Sequence, residues 1–91
     1  MGATAVSISS MSVVVLLFGP HARALGRDRA VVVLGDDATC QEVLTALRAQ
    51  YPGLATLMHG ARLAVNSRFG TSATVVNTSD ELALIALVAG G

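Results

Sequence analysis

The chain has no lysine and only one cysteine among its 91 residues. A single cysteine excludes a disulfide scaffold, a cysteine-rich zinc site and a four-cysteine iron–sulfur cluster. Six basic and six acidic side chains give a formal net charge of zero, so the basic excess with which nucleic-acid binders neutralise phosphates is missing. No apolar run approaches the roughly 18–20 residues that a membrane-spanning helix needs. We therefore expect a protein that binds neither nucleic acid nor a membrane.

Hydrophobic residues make up 53% of the chain and charged residues 13%. Such a chain is too apolar for intrinsic disorder, and its length is that of one domain. Residues 1–11 are small, weakly apolar and without periodicity or a basic residue, which predicts a disordered tail and not a secretory signal. The sequence thus predicts a single cytoplasmic domain over residues 12–91.

All six basic residues are arginine. One interpretation is genomic, because GC-rich coding also enriches the alanine, glycine and valine that are abundant in this chain. The other is functional, because a chain without lysine offers no side-chain amine to an activated acyl group. Composition favours the first interpretation and leaves the second open.

Hydrophobic periodicity predicts the order strand, strand, helix, strand, strand, strand. The predicted strands cover residues 13–18, 30–34, 61–65, 73–76 and 82–88. A single helical turn closed by Gly26 is expected between the first two strands. These elements predict an α+β fold, with a mixed four- to five-stranded sheet packed on one main helix.

The main helix is predicted over residues 39–50. Thr39 and Glu42 have the spacing of a capping box, in which each side chain satisfies a backbone N–H of the other residue. Pro52 and Gly53 end the helix. Apolar side chains at helical spacing form one stripe that predicts packing against the sheet: Cys40, Val43, Leu44, Leu47 and Tyr51.

The first and last predicted strands are apolar at nearly every position. A strand with one face in water should alternate instead between apolar and polar residues. Because one helix covers only one face of the sheet, the other face needs a second cover. We expect a partner protein to supply it, and loops of the same chain are the alternative.

The sequence finishes with Ala89, Gly90 and Gly91 directly after the last predicted strand. Glycine has no Cβ, so such a tail is slim enough to enter a narrow channel of another protein. A terminal carboxylate is ionised and unreactive near neutral pH. It must be activated before it reacts, for example as an acyl-adenylate.

No self-contained active site is recognisable in the sequence. It has no phosphate-binding loop, no nucleophile elbow and no close pair of carboxylates. His21 and His59 are expected on the surface and Cys40 in the core, so no metal site is expected. Whether the chain counts as an enzyme is left undecided, because its one reactive group would be processed by other proteins.

The chain resembles the MoaD/ThiS family of ubiquitin-like sulfur carriers, and most closely its MoaD branch, the small subunits of molybdopterin synthase. The resemblance covers residues 12–91 and is carried by four segments: FGPHARALG, DATCQEVLTALRAQYP, LAVNSRF and SDELALIALVAGG. It implies the β-grasp fold. Where the family has a pair of prolines near its end, this chain has Ala86 and Leu87.

The resemblance also implies a chemistry. Gly91 would be adenylated by a MoeB-type enzyme that uses ATP and magnesium, and then converted to a thiocarboxylate with sulfur from a donor protein. The tail, with Gly90 and Ala89, would enter a MoaE-type large subunit in a heterotetramer and pass its sulfur to cyclic pyranopterin monophosphate. The chain itself would bind no cofactor.

Five residues would contact the large subunit according to the same resemblance: Phe18, Arg23, Ile85, Leu87 and Val88. Two alternatives remain open. The first is a sulfur carrier or protein modifier of another pathway, such as thiazole synthesis, tRNA thiolation or cysteine synthesis. The second is a β-grasp interaction module whose two final glycines are never activated.

Overall fold

The computed structural model describes residues 10–86. It contains five strands and three helices in the order β1, α1, β2, α2, α3, β3, β4, β5. Their bounds are β1 Ser10–Leu17, α1 Gly19–Leu25, β2 Arg29–Gly35, α2 Cys40–Gln50, α3 Pro52–Ala55, β3 Arg62–Val65, β4 Arg68–Phe69 and β5 Leu82–Ile85. The predicted α+β class, with a mixed sheet on one main helix, is confirmed.

The five strands form one sheet in the order β2-β1-β5-β3-β4. β1 pairs antiparallel with β2 and parallel with β5, and β5 pairs antiparallel with β3. The last strand in sequence is therefore the central strand of the sheet, between the first strand and β3. This arrangement is the β-grasp, in which the sheet wraps around α2.

The capping box at the start of α2 is confirmed. The Thr39 N–H donates to Glu42 Oε1 at 2.8 Å, and the Glu42 N–H donates to Thr39 Oγ1 at 3.3 Å. The predicted stripe also faces the sheet, because Cys40, Val43 and Leu47 are buried. They pack with the inward side chains of the strands, which are Val13, Val15, Leu17, Ala30, Val32, Leu34, Leu63, Leu82 and Leu84.

The predicted turn after β1 is confirmed as the short helix α1, and Gly26 ends it in the left-handed conformation at φ 73°. His21 of this helix is fully buried, so its predicted place on the surface is wrong. The reason is that α1 packs against the chain after α3, where His21 Nε2 donates to the Leu57 carbonyl at 2.9 Å. The predicted burial of Cys40 is confirmed.

The predicted strand at residues 73–76 is also wrong. The fourth strand is instead β4, which pairs with β3 through a two-residue turn. In the segment 73–76 only an isolated bridge forms, between Val75 and Thr39. This segment is apolar because it covers the start of α2, where Val76 is buried.

Two predicted boundaries differ from the structure. β1 begins at Ser10, so the last two residues of the predicted tail belong to the sheet, while residues 1–9 lie outside the described residues. β5 is described as far as Ile85, and residues 87–91 lie outside the described residues as well.

Candidate partner-docking face and carrier terminus

The side of the sheet opposite α2 carries apolar side chains that the described residues leave uncovered. Strands β1 and β2 alternate between inward and outward positions, although residues 13–17 and 30–34 are apolar at every position. Five large side chains each keep between 45% and 53% of their surface exposed: Val14, Phe18, Val31, Val33 and Phe69. Among residues 10–86 no loop covers these side chains, so the predicted open apolar face is confirmed there. We call it the open face.

A groove of about 330 Å³ runs across the open face. Its floor is built by alternate residues of neighbouring strands, because strand register places Leu16 beside Ala83 and Ala83 beside Ala64. The full lining is Leu16, Phe18, Ala64, Ser67, Phe69, Glu81, Ala83 and Ile85. An apolar groove of this kind, rimmed by polar groups, is typical of a protein-binding site.

Two of the predicted interface residues, Phe18 and Ile85, lie together in this groove. Phe18 is the N-cap of α1, directly after β1, and Ile85 is the last residue of β5. Arg23 is exposed in the last turn of α1, and it is not part of the groove lining. The predicted residues Leu87, Val88, Ala89, Gly90 and Gly91 lie outside the described residues.

Several groove residues were not predicted. Leu16, Ala64, Phe69 and Ala83 occupy the outward positions of their strands, and Ala64 and Phe69 are paired across β3 and β4. Because side chains alternate between the two faces along a strand, this alternation could have assigned these residues to the outward face. The register between strands, which sequence does not show, decides that they meet.

The turn before β5 is fixed by Asn66, which follows β3. The Asn66 N–H donates to the Glu81 carbonyl at 2.8 Å, and the Glu81 N–H donates to Asn66 Oδ1 at 2.9 Å. Asn66 Nδ2 also donates to Asp80 Oδ1 at 2.9 Å. Asp80 in turn accepts from the Asn77 N–H at 2.8 Å. This network sets where β5 begins.

The thiol of Cys40 is unsuited to nucleophilic chemistry. Burial raises the pKa of the Cys40 thiol, and the negative charge of Asp80 raises this pKa further. A thiol with a raised pKa holds its proton at neutral pH, and the thiolate is the reactive form. Cys40 therefore acts as a small apolar core residue.

Among residues 10–86, no three histidine, cysteine, aspartate or glutamate side chains come together as a metal site would require. Within the same residues, no helix has the length and the apolar character needed to span a bilayer.

Comparison with known protein families identifies the relatives of this chain. The model of the ThiS family matches residues 15–91. The chain belongs to the ThiS family. The match includes β5 and extends through the two final glycines, so the family pattern covers the part of the chain that carries the proposed reactive terminus.

Relatives with known names agree with this assignment. The molybdopterin synthase sulfur carrier subunit of Arabidopsis thaliana is 30% identical over 83 residues, which are 91% of this chain and 86% of that protein. The crystal structure of the small archaeal modifier protein 1 of Haloferax volcanii superposes with a TM-score of 0.76 at 26% identity, covering 89% of this chain and 100% of that one.

Another structural neighbour was solved together with a second protein. It is the complex of subunits 1 and 2 of the molybdopterin-converting factor from Helicobacter pylori, with a TM-score of 0.60 and 23% identity, covering 89% of this chain and 100% of that one. At this identity the likeness shows a shared fold.

Proposed function

We propose that this protein is the sulfur-carrier small subunit of a molybdopterin synthase. The observation that carries the proposal is the family match that extends to Gly91, together with a relative that is named as the sulfur carrier subunit of that enzyme. The geometry agrees, because the strand that leads to Gly91 lies at the centre of the sheet, beside an apolar groove.

The chemistry takes place at the terminal carboxylate of Gly91. An adenylating enzyme of the MoeB type joins this carboxylate to the α-phosphate of ATP, with magnesium, and releases pyrophosphate. The terminal sulfur of a persulfide on a donor protein then attacks the carbonyl carbon and AMP leaves; a thiol cleaves the resulting acyl disulfide, which leaves the thiocarboxylate and a disulfide. In the synthase this sulfur passes to cyclic pyranopterin monophosphate, and water attacks the carbonyl carbon to return Gly91 to a carboxylate.

The large subunit docks on the open face. Phe18 and Ile85 lie where β5 continues towards the terminus, so a partner that covers the groove also receives the tail. Burial of exposed apolar side chains supplies the main free energy of such contacts. The complex of the two Helicobacter pylori subunits gives a precedent for this pairing in a protein of the same fold.

The test is to reconstitute molybdopterin formation from the adenylating enzyme, ATP, a sulfur donor, the large subunit and this protein. We expect product with the full chain and none after deletion of Gly91. Circular dichroism should show that the deletion leaves the fold intact, because the core is built from residues 13–84. Product formation by the shortened chain would overturn the proposal.

A second candidate function is protein modification. It is favoured by the likeness to the small archaeal modifier protein 1, and it uses the same activated terminus. The absence of lysine from this chain means that an activated Gly91 cannot form an amide with a side chain of its own or of another copy. Covalent conjugates to lysines of other proteins, detected by mass spectrometry of tryptic digests, would favour this candidate.

A further inference from the structure

Charged side chains border the apolar groove on both lateral sides. On the β2 side, strand register places Arg29 opposite Leu16, which lines the groove. Arg29 alternates with the buried Ala30 and Val32 and therefore points to the open face. Arg29 is exposed, so its guanidinium is available to a partner.

On the β4 side, the groove ends at Phe69, and Arg62 covers this ring. The Arg62 guanidinium carbon lies 4.6 Å from the centroid of the Phe69 ring, which is the geometry of a cation–π contact. The stacking holds the cation at the edge of the groove. Because β2 and β3 are three strand spacings apart, the two strands that carry these arginines lie about 14 Å apart across the sheet.

The third charged group, Glu81, is negative and lies at the end of the groove where β5 begins. Glu81 also lines the groove, and it immediately precedes β5. Ile85 lies at the opposite end of β5. The groove thus has a cation on each lateral side and an anion at the end remote from Ile85.

We propose that Arg29, Arg62 and Glu81 determine how the partner docks, and that the partner carries two acidic groups facing the arginines and one basic group facing Glu81. This inference rests on the proposed function and adds the charge pattern of the partner surface. An apolar floor favours contact without fixing direction, because the hydrophobic effect is non-directional. The asymmetric charges allow one orientation, in which the partner's active site faces the terminus.

The charges act mainly on recognition and on the rate of encounter. Charges at the rim of an interface steer association and penalise mismatched partners, whereas they add little to the final affinity when exposed. The formal net charge of the chain is zero, so long-range attraction by total charge does not contribute. At physiological salt, screening over about 8 Å leaves each rim charge to act locally.

The experiment measures association of this protein with the large subunit from the same organism, by surface plasmon resonance at several salt concentrations. The test variant is Arg29→Glu combined with Arg62→Glu, and a second variant is Glu81→Gln. The control is Arg48→Glu, which reverses one charge at an exposed position of α2, on the other side of the sheet. Thermal unfolding verifies that each variant is folded.

We expect the double reversal to slow association at least about tenfold and to flatten its dependence on salt, with Arg48→Glu close to wild type. Glu81→Gln should give a smaller loss in the same direction. If the double reversal associates as fast as the Arg48→Glu control does, or faster, the inference is overturned and the proposed function stands. If the wild-type chain does not bind, the proposed function fails and the inference fails with it.

Discussion

At the scale of single residues, Gly70 leaves no room for a side chain beside the buried sulfur of Cys40. A Cβ added at Gly70 would lie 2.6 Å from the Cys40 sulfur, which is far inside van der Waals contact. The sulfur has little room to move because Cys40 is buried, and the backbone of Cys40 is fixed where its N–H donates to the Thr74 carbonyl at 2.8 Å. Gly70 is therefore required for the loop after β4 to lie on the start of α2.

We predict that Gly70→Ala lowers the free energy of unfolding by about 1–3 kcal/mol, since overpacking a core forces its neighbours to shift. Adding Cys40→Ala removes the sulfur, so the double variant should lose less than the sum of the two single losses. Gly53→Ala is the control, because nothing lies within 4 Å of its added Cβ. Denaturant unfolding measures the wild-type chain, the two single variants, the double variant and the control, and strictly additive losses would contradict the account.

The Cys40 thiol also predicts a dependence of stability on pH. Its pKa is raised in the folded chain, by burial and then by Asp80, relative to about 8.5 in an unfolded chain. A raised pKa means that the unfolded state loses this proton first. The contribution of this thiol to the free energy of unfolding is fully present below about pH 8.5. It is lost as the pH rises from there through the pKa of the thiol in the folded chain.

The expected result is a fall in the free energy of unfolding above about pH 8.5 that is steeper in the wild-type chain than in Cys40→Ala. Urea unfolding at a series of alkaline pH values compares the two slopes. Parallel curves for the two proteins would show that the thiol ionises equally in the folded and unfolded states.

At the scale of elements, the turn between β3 and β4 combines strain with a positioning role. Asn66 and Ser67 have φ angles of 52° and 70°, and they connect the paired residues Val65 and Arg68. A two-residue hairpin with both φ angles positive favours asparagine followed by glycine. Serine at the second position is therefore strained, whereas Asn66 suits its position and also fixes the start of β5.

We predict opposite effects for two glycine substitutions in this turn. Ser67→Gly should raise the free energy of unfolding by about 0.5–1 kcal/mol, because it relieves the left-handed strain. Asn66→Gly keeps the backbone geometry but removes the side-chain bonds to Asp80 and Glu81, which should cost about 1–2 kcal/mol. Thermal unfolding ranks the variants, and stabilisation by Asn66→Gly would contradict the positioning role.

The outer edge of β2 is closed by the end of α2. The Val33 N–H donates to Gln50 Oε1 at 3.1 Å, and Gln50 Nε2 donates to the Val33 carbonyl at 3.0 Å. The Tyr51 hydroxyl donates to the Val31 carbonyl at 2.8 Å. The Gln50 amide therefore occupies the place of a neighbouring strand, and it protects an edge that would otherwise pair with another chain.

Uncovering this edge should promote self-association. We expect Gln50→Leu combined with Tyr51→Phe to form dimers or larger species, seen by sedimentation velocity over a range of concentrations. Gln41→Leu adds the same apolar side chain at an exposed position of α2 and should behave like wild type. If both variants associate equally, the added leucine is responsible and the closed edge is not.

At the scale of the whole molecule, the two sides of the sheet serve different purposes. One side is filled by α2 and the segments around it, and its buried side chains form a single cluster. The other side presents apolar side chains and a groove. The apolar side chains are thus buried within the fold on one side of the sheet and exposed on the other.

Local patterns in the sequence predict those parts of the fold that are determined by residues close together in the sequence. The capping box of Thr39 and Glu42 marks the start of α2, and the apolar run after Ser12 marks β1. The position of β4 could not be predicted in this way, because a two-residue strand carries almost no periodic signal and depends on the turn at Asn66. The burial of His21 was missed because its partner, Leu57, is distant in sequence.

The candidate site divides in the same manner. Phe18 and Ile85 were predicted from the family pattern, and the structure places both in the groove. Arg29 and Arg62 were not predicted, because only strand register and the contact with Phe69 bring them to its borders. Sequence therefore predicts which strands are apolar, whereas the pairing of strands decides which charges surround them.

The central claim is that Gly91 is a terminus that accepts sulfur. The most direct measurement is intact-protein mass spectrometry after incubation with an adenylating enzyme, magnesium, ATP and a sulfur donor, with an established sulfur carrier as the positive control. The account predicts the mass change of one oxygen replaced by one sulfur, located in the C-terminal peptide and absent from the chain that lacks Gly91. An unchanged mass, under conditions in which the control carrier is converted, would contradict it.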